Sequence, residues 1–269
     1  MADIQWKFNS VDADTWRIQR DSGWRPPVNV RGNLLTQPGK HGSLNLDAVP
    51  VFDEPQVPFK FRVRATSQAQ LENLVNQLEM NLMTPGLTLT RTSGGITSSA
   101  KARLVSIAFG QFLASSVSEV HVILAIPGVF LRGQVSTCTQ KVSSSDNQLL
   151  ENLTGSTAPI TDPIFQVLGP ATTVSITDAV TGTAFTWAGN LASGQYLYLD
   201  PANLRAWQSS SASTWTSPGG QNGTVDYPGV GLLQLWPNPS NGEVRAKVLI
   251  GGGNAAQTKW VVRAGKSYV

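Results

Sequence analysis

The sequence is poor in the residues that usually carry chemistry. It has one cysteine, Cys138, and two histidines, His41 and His121, in 269 positions. A lone thiol excludes an intrachain disulfide and any zinc site built on cysteines. Two histidines are too few for a His-rich metal centre. Charge is scarce too, at 14% of residues against roughly 25% in ordinary globular chains. The three excess positive charges all fall in residues 1–150, where 14 Lys and Arg face 11 Asp and Glu; residues 151–269 are balanced. That makes no concentrated basic stripe, so no nucleic-acid specificity is expected. Long apolar runs are missing as well: no stretch approaches about 18 continuous apolar residues, and MADIQWKFNS does not open as a signal peptide. Neither membrane insertion nor secretion is expected, and the chain is expected to fold in a cytoplasm.

The motifs of common active sites are also missing. No G-x-S-x-G occurs, and neither histidine lies in a frame that pairs it with a serine nucleophile. GKHGS at 39–43 lacks the spacing of a phosphate-binding loop and follows no apolar strand. GGG at 251–253 runs into polar sequence rather than a helix and reads as a flexible turn. Asp178, Asp200 and Asp226 sit in or beside expected turns. NLT at 152–154 and NGT at 222–224 match glycosylation sequons, which matter only in a secreted chain. The expectation is a protein that is not an enzyme, with no catalytic, cofactor-binding or metal-binding residues.

What replaces charge is Ser, Thr, Asn, Gln and Gly, a composition that suits β-surfaces and turns better than helices. Residues 3–20 read as a hairpin with Trp6 and Phe8 facing Trp16 and Ile18. Residues 23–58 are rich in Pro and Gly and have no period, so any strands there are short or at edges; the segment reads as an arm reaching away from the core. PFKFRVRA at 58–65 alternates, with Phe59, Phe61, Val63 and Ala65 on one face and Lys60, Arg62 and Arg64 on the other. SQAQLENLVNQLEMNLMTPG at 67–86 is the one long helix. Ser67 and Gln70 have capping-box spacing, Leu71, Leu74, Val75, Leu78 and Leu82 form one stripe, and Pro85-Gly86 stops it. The helix is expected to cover a sheet of 59–65, 87–92, 101–109 and 118–126. Its outer face is mostly amide, with Glu72 and Glu79 its charged residues.

GQVSTCTQKVSSSDNQ, from 133, is polar and weakly patterned and reads as a linker. Beyond it about eight short strands with Gly-, Asn- and Pro-rich turns indicate a sandwich or jelly roll. DAVTG at 178–182 closes a hairpin. The domains are therefore expected at 1–148 and 149–269. The second holds Trp187, Trp207, Tyr196 and Tyr198, which either stack on sugar rings or fill the core. Because Tyr196 and Tyr198 share one face and Leu197 and Leu199 the other, one pair should point outward.

In its order of elements the chain resembles the distal tail (Dit) family of long-tailed, siphovirus-type bacteriophages. The first half resembles the ring-forming domain: a hairpin, the arm VNVRGNLLTQPGKHGSLNL, the strand FKFRVRA, the helix, and a strand before a G-G turn. VSITDAVTGTAFTWAGNLASGQYLYLDPANLRAW and LLQLWPNPSNGEVRAKVLIGG resemble the galectin-like, jelly-roll-type sandwich that follows it. The resemblance implies a mainly β fold: a β-sandwich ring domain with one packed helix, then a galectin-like sandwich. It implies a structural protein of the virion, assembled in the host cytoplasm, whose homo-hexameric ring joins the tail tube protein to tail-tip and tail-associated proteins. On that reading the subunit interface takes Asn29, Arg31, Leu34 and Leu35 from the arm and Lys60, Arg62 and Arg64 from the strand, although the basic row could equally serve only to solvate a sheet face. The alternative is a carbohydrate-binding module meeting host surface glycans through Trp187, Tyr196, Tyr198 and Trp207.

Overall fold

The computed structural model describes residues 4–269 except 20, 21, 24, 33, 36–43, 46–48, 115, 229, 230 and 254–257, and not the side chains of 34, 35, 44, 45 and 111–114. His41 lies outside the described residues. The chain divides into two compact units, residues 1–133 with Val269, and residues 134–268.

The first unit is a sandwich of two antiparallel sheets with one helix. Strand Val117–Ala125 is central in a three-stranded sheet, flanked by Gln56–Arg64 and by Arg103–Ala114. The alternation of Gln56–Arg64 is complete: Val57, Phe59, Phe61 and Val63 are buried, and the residues between them are exposed. This is the pattern of an antiparallel strand with one wet face. The buried face meets Trp6 and Phe8 of strand Gln5–Phe8, with ring centroids of Trp6 and Phe59 5.2 Å apart and of Phe8 and Phe59 5.3 Å apart. Gln5–Phe8 pairs with Thr88–Ser93, which pairs in turn with Ile96–Lys101.

The single sheet expected for this half is therefore two. Residues 87–92 join the opening strand rather than Gln56–Arg64, which buries the apolar face of each sheet against the other. SGGITSSA contains a further strand, because Gly94 and Gly95, both at positive φ, close a two-residue hairpin with Ser93 opposite Ile96. The opening hairpin is also shorter than expected. Its return strand is Val11–Asp12 alone; Ala13–Trp16 is a 3-10 turn capped by the Asp12 carboxylate and ended by Arg17 in the left-handed region.

The helix Gln68–Met83 begins where the sequence places it. Ser67 caps it, its hydroxyl accepting from the Gln70 N–H at 3.2 Å, but the Gln70 side chain turns back to the N–H and hydroxyl of Thr66 rather than to Ser67. Leu71, Leu78 and Leu82 are buried, and Trp16 Nε1 donates to the Leu74 carbonyl at 3.0 Å. In the arm, Val30–Arg31 pairs with Val51–Phe52, and Leu34–Leu35 with Leu44–Asn45. These nested two-residue ladders double the arm back on itself.

The second unit is a β-sandwich. One sheet runs Arg205–Ser209, Tyr196–Asp200, Ile164–Leu168, Lys259–Tyr268, with Lys141–Val142 on the last. The other runs Ser144–Leu149, Arg245–Gly251, Ala171–Asp178, Ala184–Leu191, Thr224–Asp226. Phe165, Ile176, Phe185, Leu197, Leu199 and Trp260 are among the side chains that fill the space between them. The 133–148 segment is not a linker. Lys141–Val142 and Ser144–Leu149 are ladder strands, Cys138 is buried with its Sγ accepting from the Val262 N–H at 3.1 Å, and Trp260 Nε1 donates to the Val142 carbonyl. Polar side chains here face solvent from edge strands, or bind main chain as Ser143 Oγ does with the Ile250 N–H.

Asp178 is buried at the 178–182 turn. Its carboxylate accepts from the N–H groups of Val180, Thr181 and Trp236 and from the Thr181 hydroxyl. Burial pushes its pKa above the usual carboxylate range against those hydrogen bonds. GLLQLWPNP takes part in isolated bridges, Leu235 with Ile160 and Pro237 with Val244. The glycines at 251–253 pack closely: a Cβ there would meet Thr173, Thr172 and the Pro170 carbonyl, so the segment is a close approach of chains and not a loose turn.

Candidate functional site

The seven interface candidates of the first unit do not form one patch of free charge. Asn29 is exposed, and its carbonyl accepts from the Asp53 N–H. Arg31, also exposed, pairs with Asp53 at 2.8 Å across the arm's ladder. The side chains of Leu34 and Leu35 lie outside the described residues. Lys60, Arg62 and Arg64 do form an exposed row, but Arg62 is neutralised by Glu119, its register partner on the neighbouring strand, at 2.9 Å. His121, on the same sheet, faces solvent.

Sequence reasoning missed a surface at the opposite edge of that sheet. The 12-residue strand Arg103–Ala114 is an edge: among the described residues it pairs only with Val117–Ala125. It carries two exposed apolar side chains, Val105 at 40% and Phe109 at 50%. Phe109 also lines a groove of about 320 Å³ with Leu71, Val75, Glu72 and Glu79 of the helix. A long edge with exposed apolar residues offers unpaired N–H and C=O groups to another strand. The available sequence signal was the apolar pair Val105 and Phe109 in the expected strand 101–109.

In the second unit the proposed sugar platform is mostly interior. Trp187 is 1% exposed and donates through Nε1 to the Asn222 carbonyl; Tyr198 is 0% and Trp207 3% exposed. Only Tyr196 is half-buried. Leu197 and Leu199 face the inter-sheet core as expected, but the opposite face of that strand is covered by the loop 210–216. Tyr198 and Trp207 stack at 5.4 Å with planes 5° apart, and both hold the loop. The Tyr198 hydroxyl donates to the Ser211 carbonyl at 2.7 Å and accepts from the Thr214 N–H and Gln166 Nε2. Gln166 Nε2 also reaches the Ala212 carbonyl, and Trp207 Nε1 donates to the Thr214 carbonyl at 2.9 Å. These rings position a loop instead of meeting a ligand.

Among the described residues no three His, Cys, Asp or Glu side chains gather where they could hold a metal ion, and no helix is long and apolar enough to cross a membrane.

The fold defines the class: a mainly β protein of two sandwich units, with one helix in the first. The particular structure it resembles over its whole length is the crystal structure of SPP1 Dit (gp 19.1), described as a paradigm of the hub adsorption apparatus in Gram-positive-infecting phages. The identity is 11% and the TM-score 0.62, and the match covers 99% of this chain and 100% of that one. The baseplate of phage P2 in its activated conformation with Ca matches at 12% identity and a TM-score of 0.40, covering 99% of this chain and 100% of the matched chain. No protein-family model matches the sequence. No curated protein matches it either.

Proposed function

We propose that this chain is a structural component of a phage tail tip, with copies of residues 1–133 closing into a six-membered ring that joins the tail tube to the adsorption apparatus. The observation that carries the reading is the full-length likeness to SPP1 Dit, which covers 99% of this chain and 100% of that one. Local geometry supports it. An edge strand with exposed Val105 and Phe109 next to an apolar groove is a surface that a neighbouring copy would bury, and in a cyclic ring such a contact is heterologous. The arm, with Asn29 and Arg31 exposed, and the basic row at Lys60 and Arg64 are the further contact surfaces of this reading. The units would then be a ring-forming domain and a peripheral galectin-like domain, in a protein of the virion tail built in the host cytoplasm. Tail tube and tail-tip proteins are its partners and no catalysis is assigned. The alternative of a free carbohydrate-binding module loses its predicted platform, because Trp187, Tyr198 and Trp207 are buried.

Light scattering and negative-stain imaging of the purified chain across a concentration series test the ring. Closed six-membered particles, alone or on addition of tail tube protein, are expected. A monomer under all of these conditions overturns the reading.

A further inference from the structure

We infer that the second unit carries a saccharide-binding cleft walled by Trp215, Arg263, Asp200 and Asn203. The cleft has a volume of about 370 Å³, within the roughly 300–1,000 Å³ of small-ligand sites. Strand Lys259–Tyr268 supplies its floor with Arg263, Ala264 and Gly265, the 3-10 turn Pro201–Asn203 supplies one wall, and Trp215 and Thr216 supply the other.

Three observations select the ligand class. The first is rigidity. The loop that delivers Trp215 is held by Tyr198, Trp207 and Gln166 through the hydrogen bonds described above, by the Ser209–Thr214 hydroxyl pair at 2.8 Å, and by the edge of Trp215 against Tyr198 at 5.4 Å. A ring held this way costs little to order on binding.

The second is an unused cation. Arg263 lies over the Trp215 ring, 5.3 Å from its centroid, and among the described residues its guanidinium has no hydrogen-bond or ion-pair partner. Its side chain lines the cleft and brings N–H donors to it.

The third is the mixture of groups. Arg263 and the Thr216 hydroxyl donate, while Asp200 and the Asn203 carbonyl oxygen accept; the Asn203 amide is fixed by its Nδ2 donating to Asp200 at 2.8 Å. A simple anion would meet the carboxylates of Asp200 and Asp162, and a simple cation would meet Arg263. A neutral, hydroxyl-rich ring satisfies both kinds of group, because each hydroxyl both donates and accepts, and it has an apolar face for Trp215.

The site is independent of ring assembly. Its test uses the full chain and a panel of methyl pyranosides (glucoside, galactoside and N-acetylglucosaminide) with inorganic phosphate and lysine as ionic controls, read by saturation-transfer NMR and calorimetric titration. At least one pyranoside is expected to bind in the range of about 1–10 mM, the strength of a single small contact. Arg263→Gln is expected to weaken it about tenfold or more, and Ala202→Trp, at an exposed position on the rim, to block it, both with unchanged thermal midpoints. No saturation by about 50 mM, several times the weakest dissociation constant expected, binding that survives both variants, or preference for phosphate or lysine overturns the inference. Particle size measured on the same samples reports on the ring separately.

Discussion

Glu151 shows how one residue sets a pH dependence here. Burial alone would raise its pKa, but the N–H of Thr139, the Thr139 hydroxyl, its own main chain and Lys141 Nζ at 3.0 Å outweigh that and bring it from 4.5 to about 2. Folded Glu151 thus binds its proton less tightly than unfolded Glu151. Its contribution to stability is complete above about pH 4.5 and is lost as pH falls towards about 2. Denaturant midpoints should decline through this window, and Glu151→Gln should lower the midpoint at pH 7 and flatten that decline, both modestly since the pair is partly exposed. An identical acid profile in the variant would refute the assignment. At the same scale, the Cys138 thiol is buried and its pKa pushed up, so it is a small core residue and not a reactive group.

At the scale of elements, the edge strand Arg103–Ala114 is the feature with the most consequence. Among the described residues it is paired on one side only, and Val105 and Phe109 stand in solvent in the single chain. Phe109→Asp puts a charge into any interface formed there and removes nothing from the core. Self-association is expected to weaken about tenfold or more, since buried aromatic anchors dominate such contacts, while the thermal midpoint of the dissociated chain stays the same. Full assembly of this variant would show that the ring uses another surface. The helix beside it was legible from its leucine stripe and Ser67 cap, but its sheet was not. Gln56–Arg64 alternates completely while Thr88–Ser93 buries only Leu89, and neither pattern says which strands share hydrogen bonds.

For the molecule as a whole, each unit has its own core, and the division falls at 133/134, earlier than the expected 148/149. The segment between contains Lys141–Val142, paired to Lys259–Tyr268, and Ser144–Leu149, paired to Arg245–Gly251. A fragment of 134–268 is expected to unfold in one cooperative transition. A fragment starting at 149 loses both of these strands and the Cys138 contact, and its midpoint should fall by several degrees or the fragment should fail to fold. Circular dichroism melts of the two fragments decide this, and equal midpoints would place the boundary back at 148.

The sequence by itself determined the features set by neighbours in the chain. These are the alternating strand Gln56–Arg64, the capped helix, the hairpin at Asp178, the mainly β character and the shortage of catalytic residue types. Tertiary structure alone decided which strands share a sheet, that the polar 133–148 segment is strand, and that Tyr198 and Trp207 lie beneath a loop and not on the surface. The reason is physical: periodicity tells which side chains share a face, while what covers that face depends on a segment far away in the chain. The loop carrying Trp215 covers Tyr198, and in doing so brings a half-buried aromatic ring from the loop to the place the strand's own ring would have held.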